Sequence, residues 1–104
     1  MILTALAGPP LHGYGVMQRV GELSDGRVKL SAGTLYAALD RLTLDGLVVV
    51  DREEAVSGRV RRYYRLTEQG GAALREQVAV LRRSAEVASK RLAGWATGPR
   101  LQPS

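Results

Sequence analysis

Cysteine is absent from this 104-residue chain, which rules out a disulfide framework and a thiolate metal site and makes a reducing, cytoplasmic setting the expected one. Histidine occurs once, as His12, so no second imidazole is available for a metal centre, and neither metal nor cofactor is expected. No long hydrophobic run is present. Met1 to Ala7 is apolar, but it lacks a basic leader and stops at Gly8-Pro9-Pro10, far short of the ~20 residues a membrane span needs. Signs of an enzyme are missing too. His12-Gly13-Tyr14-Gly15 has neither the lysine nor the serine or threonine of a phosphate loop and follows no predicted strand, so His12 and Tyr14 are expected to pack or cap at the start of a helix. Asp51, Glu53 and Glu54 fall on a hairpin that should be solvated, which leaves no convincing acid and base pair.

Basic charge is what the chain has in excess. The formal charge is +5 and the pI about 10.2, which favours nucleic acid or an anionic surface as partner over an acidic protein or small metabolite. With 13 arginines against 2 lysines the total carries less information than the position of the arginines. Four of them, Arg59, Arg61, Arg62 and Arg65, fall with Tyr63 and Tyr64 in a stretch that alternates like a strand. An arginine holds a phosphate with two parallel hydrogen bonds.

Punctuation and periodicity order the rest. Residues 1–7 are predicted to form a short helix stopped by Gly8-Pro9-Pro10. A second helix runs from Tyr14 to Leu23, with Val16, Met17, Val20 and Leu23 on its buried face, and ends at Ser24-Asp25-Gly26. A third, residues 31–45, has Ser31 as N-cap and Leu35, Ala38, Leu39 and Leu42 as apolar stripe, ending near Asp45-Gly46. Leu47 to Val50 reads as a strand, Val56-Ser57-Gly58 as a turn, and residues 59–66 as the returning strand. Along that strand Val60, Arg62, Tyr64 and Leu66 share the face that anchors the hairpin, whereas Arg59, Arg61, Tyr63 and Arg65 share the solvent face. Thr67 caps a last helix. The tail, residues 97–104, with Gly98, Pro99 and Pro103, should be loose.

Two surfaces follow. The start of the third helix is small, with Ser31, Gly33 and Thr34 allowing close backbone approach, and its free N–H groups favour a phosphate. Thr34, Tyr36 and Ala37 are candidates for contacting bases. Arg41 is a phosphate candidate and equally a surface partner for Asp45. Arg59, Arg61 and Arg62 are candidates for holding the DNA backbone, although the charged arm is also what an edge strand guarded against aggregation looks like. The second surface is a heptad seam of Leu74, Val78, Leu81, Ala85, Ala88, Leu92 and Trp95, which argues for packing against the same helix of a second copy.

Four motifs in this order and spacing resemble the PadR-like transcriptional regulators: His12-Gly13-Tyr14, Gly33-Thr34-Leu35-Tyr36, Arg41-Leu42 with Gly46-Leu47-Val48, and Arg61-Arg62-Tyr63-Tyr64-Arg65-Leu66-Thr67-Glu68-Gln69-Gly70. The resemblance covers about residues 1–95. It implies a mainly α protein with a small β-hairpin (α+β), a winged helix-turn-helix with a long C-terminal dimerisation helix. Residues 1–66 would form the DNA-binding domain, with residues 31–45 as recognition helix and 47–66 as wing, and residues 67–96 would form the dimerisation helix. It further implies a homodimer on double-stranded DNA, in most cases a repressor released by a small molecule or by a change in the dimer. Some members hold planar apolar effectors between paired tryptophans, a placement similar to that of Trp95. Two features depart from the family pattern: the first helix is shorter than is common, and Ala37 stands where many members carry a proline. The alternative is a winged helix that docks on a protein partner without reading sequence.

Overall fold

The structure is a computed structural model that describes residues 1–97. Its elements are α1 (Ile2–Ala5), β1 (Leu11–His12), α2 (Gly13–Leu23), α3 (Ala32–Leu44), β2 (Val48–Val56), β3 (Arg59–Leu66) and α4 (Glu68–Thr97). They fall into two units, Met1–Leu74 and the part of α4 from Arg75 onward. The expected loose tail lies outside the described residues, save Thr97, the last residue of α4.

The first unit has a core made of Leu3, Ala5, Leu6, Val16, Val20, Leu35, Leu39, Val48 and Tyr64, all buried. The second and third helices supply its centre because their apolar residues recur at three and four. Leu23, expected on the buried face of α2, is 46% exposed instead. It is the last residue of α2, where the helix ends at Ser24 and the chain turns away. The first helix is shorter than predicted. It closes in a tight turn, with Ala7 N–H donating to the Thr4 carbonyl at 3.2 Å, because Pro9 and Pro10 cannot continue the helical ladder.

Both caps of α3 fall where expected. Ser31 Oγ accepts the Thr34 N–H at 3.2 Å. At the other end Gly46 adopts φ 77°, which lets Leu47 N–H reach back to the Leu42 carbonyl at 3.0 Å. Thr67 starts α4 in the same way: its Oγ1 accepts the Gly70 N–H at 3.0 Å and donates to the Gly46 carbonyl at 2.6 Å. Gly70 is there because α4 begins against the α3–β2 link; a Cβ at this position would collide with the Leu47 carbonyl.

Three antiparallel strands stand in the order β1, β3, β2. The first was not predicted: two residues are too few to show alternation, and Leu11 and His12 become a strand only by pairing with Tyr64 and Tyr63. The second strand runs six residues past Val50, where the hairpin is largely solvated and no apolar alternation marks it. A bulge at Asp51 sets its register. With it, Glu53 faces Arg62 and Glu54 faces Arg61; the unbulged register would set Arg52 opposite Arg62, a like-charge pair. The turn is built by Ser57 (φ 50°) and Gly58 (φ 78°), both left-handed, as a two-residue hairpin turn requires.

Candidate nucleic-acid interface

The exposed side of α3 and the tip of the hairpin meet in one cleft of about 680 Å³, lined among others by His12, Gly13, Tyr36, Asp40, Arg59, Val60 and Arg61. The small N-terminal residues of α3, Ser31, Gly33, Thr34 and Ala37, are exposed, as a helix end that approaches a backbone closely needs. The Thr34 hydroxyl is within 3.0 Å of Ser31 Oγ, so the cap also orients that side chain. Tyr36 is half exposed, and its ring end rests on Gly13, where a Cβ would collide with it. Tyr36 is thus braced by α2 rather than swinging freely from α3.

Neighbouring carboxylates sort the arginines. Arg41 Nε lies 3.4 Å from Asp45 Oδ2, the surface pair that competes with its role as a phosphate contact. Arg62 Nε is 3.4 Å from Glu53 Oε1, and Arg65 Nε is 3.2 Å from Asp51 Oδ1. Arg52, on which the sequence reading placed no role, donates to Glu54 Oε1 at 2.9 Å and lies 4.0 Å from the centre of the Tyr63 ring. That hydrogen bond from Arg52 draws the Glu54 carboxyl below its ordinary range and raises the Arg52 guanidinium. Among the described residues no carboxylate pairs within 4 Å of Arg59 or Arg61. Glu54 stands opposite Arg61 and feels its charge without closing an ion pair, so Arg59 and Arg61 are the arginines of the tip whose guanidinium groups remain open to a ligand.

Val60 departs from expectation. It was to anchor the hairpin with Tyr64 and Leu66; Tyr64 is buried and Leu66 packs against the core, but Val60 is 66% exposed. It sits one residue past Arg59, opposite Ala55, and lines the open cleft instead of joining the core.

His12 joins the two sides. Its Nδ1 accepts the Gly15 N–H at 3.2 Å as the cap of α2, and its ring meets Tyr63 edge-on at 5.3 Å. Partial burial, then the positive charge of Arg61, push its pKa down. No group of histidine, aspartate and glutamate among the described residues is arranged to hold a metal ion, and no helix there is long and apolar enough to cross a membrane.

Of the seam residues in α4, Leu74 packs against the core of the first unit, whereas Val78, Leu81, Leu92 and Trp95 are exposed by 39, 68, 60 and 68%. Ala85 and Ala88 are exposed as well. Val80 and Val87, outside the heptad seam, are also exposed and lie about 100° around the helix from Leu81 and Ala88.

The sequence and the fold are similar to those of known proteins. The model of the transcriptional regulator PadR-like family matches residues 2–76. The transcriptional regulator Rv3488 of Mycobacterium tuberculosis is 45% identical over 75 residues, 72% of this chain; the match spans 66% of that relative, just under two thirds of its length. Among solved structures, a PadR family transcription regulator from Clostridium difficile superposes with a TM-score of 0.72 at 28% identity, covering 88% of this chain and 93% of that one. Bacillus subtilis PadR in complex with operator DNA superposes at 0.66, with 23% identity, over 74% of this chain and 43% of that one.

Proposed function

The chain belongs to the PadR-like family of transcriptional regulators, and from that premise we propose that it is a homodimeric repressor that binds a specific DNA sequence in the cytoplasm and is released by a small apolar or aromatic effector. One observation carries the DNA-binding part: Arg59 and Arg61, which close no ion pair among the described residues, border the same cleft as the exposed side of α3. In this reading residues 1–66 form the DNA-binding domain. The small residues Ser31, Gly33 and Thr34 let α3 enter a major groove, where Thr34, Tyr36 and Ala37 meet base edges. Arg59 and Arg61 hold flanking phosphates or dip into the minor groove, with Arg62 and Arg41 as weaker contributors because each already has a carboxylate. The Bacillus subtilis relative of the same fold is bound to operator DNA, which fits this use of the surface.

Residues 67–96 serve as the dimerisation helix, joining two copies through Val78, Leu81, Ala85, Ala88, Leu92 and Trp95, while Leu74, the first position of the expected seam, packs on the core of its own copy. Trp95, exposed near the end of α4, is the residue on which a planar effector would stack. Titrating the full chain against its own upstream DNA and against scrambled DNA, at several salt concentrations, tests the reading. Cognate preference is expected together with a steep loss of affinity with salt, since each neutralised phosphate adds about −0.9 to the log-log slope. A flat salt dependence without preference would instead favour the protein-docking alternative.

A further inference from the structure

A lone carboxylate stands in the middle of the face that α3 turns outward. Residues of a helix follow at about 100°, so the buried stripe of Leu35, Leu39 and Leu42 leaves Gly33, Ala37, Asp40 and Leu44 running down the opposite side. All four are exposed, Leu44 to 83%. Asp40 makes no hydrogen bond or ion pair among the described residues, although it lines the cleft that Arg59, Arg61 and Arg62 border from the hairpin. The helix's one cation, Arg41, lies to the side of this line and is held by Asp45. The outward line of α3 therefore offers an acceptor without a donor cation.

Such a line is at a disadvantage beside a polyanion unless the carboxylate meets a hydrogen-bond donor. In the major groove only the amino groups of cytosine (N4) and adenine (N6) donate, while guanine and thymine present acceptors at those edges. Adenine sets its N7 acceptor beside N6, which repels a carboxylate; cytosine sets no acceptor there. Building on the DNA-binding function proposed above, we infer that Asp40 is a specificity determinant that accepts a hydrogen bond from the N4 amino group of a cytosine at one position of the half-site. The hairpin arginines supply affinity, and Asp40 makes every duplex lacking a cytosine at that position bind less well.

Selection of bound duplexes from a randomised pool with the full chain tests this, using the wild type, Asp40→Ala and the near-isosteric Asp40→Asn. The wild type is expected to enrich a cytosine at a fixed position of each half-site. Asp40→Ala should lose the preference there alone, by roughly tenfold, as expected for one base contact. Asp40→Asn should move that position toward adenine, which asparagine reads with two hydrogen bonds. If Asp40→Ala keeps the wild-type preference at every position while binding all sequences more tightly, Asp40 acts only as a charge and the inference is overturned. A wild-type pool in which nothing is enriched overturns the DNA-binding reading itself, and this inference with it.

Discussion

His12 commits its one acceptor nitrogen to the backbone: Nδ1 takes the Gly15 N–H, which it can do only while the imidazole is neutral. Burial and the nearby Arg61 guanidinium lower its pKa below the usual 6.5, so the unfolded chain binds a proton more readily than the folded one. Stability from this group is complete above about pH 6.5 and declines as pH falls from there through the lower folded value. Since the chain has no other histidine, little else titrates in that window. Wild type should therefore lose more melting temperature between about pH 8 and about pH 5.5 than His12→Asn, which keeps a capping side chain without titrating. Equal slopes for the two proteins would show that the cap is irrelevant to the pH response. Two glycines make a sharper contrast. Nothing lies within 4 Å of a Cβ placed on Gly21, so Gly21→Ala should stabilise by about 0.5–1 kcal/mol through helix propensity alone. At Gly70 the same change drives a methyl into the Leu47 carbonyl, and a loss of about 1–3 kcal/mol is expected. Thermal or denaturant unfolding of both variants measures the difference, and a stabilised Gly70→Ala would mean that α4 starts farther from the Leu47 carbonyl than described.

The hairpin shows how an element's function depends on register. Arg59→Ala and Arg61→Ala should each weaken binding to all DNA sequences alike and make the log-log salt slope shallower by about 1, whereas Arg62→Ala, already paired with Glu53, should change it less. Salt titrations of the three variants read this directly; an equal effect at all three positions would show that the Glu53 pair does not persist near DNA. The division among the arginines was hidden in the sequence because it depends on the bulge at Asp51, which decides which carboxylate each one faces. Other parts of the element were legible. The left-handed Ser57-Gly58 turn declares itself in residue types, and the Leu35-Leu39-Leu42 stripe with its Ser31 cap survives because periodicity records burial. Where burial stops, the record stops: the outer half of β2 and the exposed Val60 lie on an arm without a buried face, and β1 is a strand only by virtue of its partner. The place of Asp40 opposite the leucine stripe follows from helical periodicity, but that it lacks an ion pair depends on the hairpin register, which the residue types do not show.

At the scale of the whole molecule, the apolar side of α4 has to be accounted for. Leu81, Val87, Leu92 and Trp95 are each more than half exposed, and Val80 and Val87 lie about 100° around the helix from Leu81 and Ala88, so part of the helix carries apolar residues on a second side as well as on the seam. A two-stranded coiled coil covers the a and d seam and leaves such a second side open. The proposed dimer is thus expected to cover this helix with more than its own symmetry mate. Leu81→Glu combined with Leu92→Glu should convert the dimer to a monomer in sedimentation, because each change would bury a carboxylate without a partner at the interface. Each copy in this proposed arrangement reads one half-site, so the monomeric variant should retain the secondary structure of the wild type and show roughly half its salt slope on the same duplex, since about half the phosphates are then neutralised. A double variant that still sediments as a dimer would place the dimer interface elsewhere on the chain. One that is monomeric yet keeps the full slope would mean that a single copy makes all the phosphate contacts, and that the exposed stripe of α4 serves something other than DNA binding.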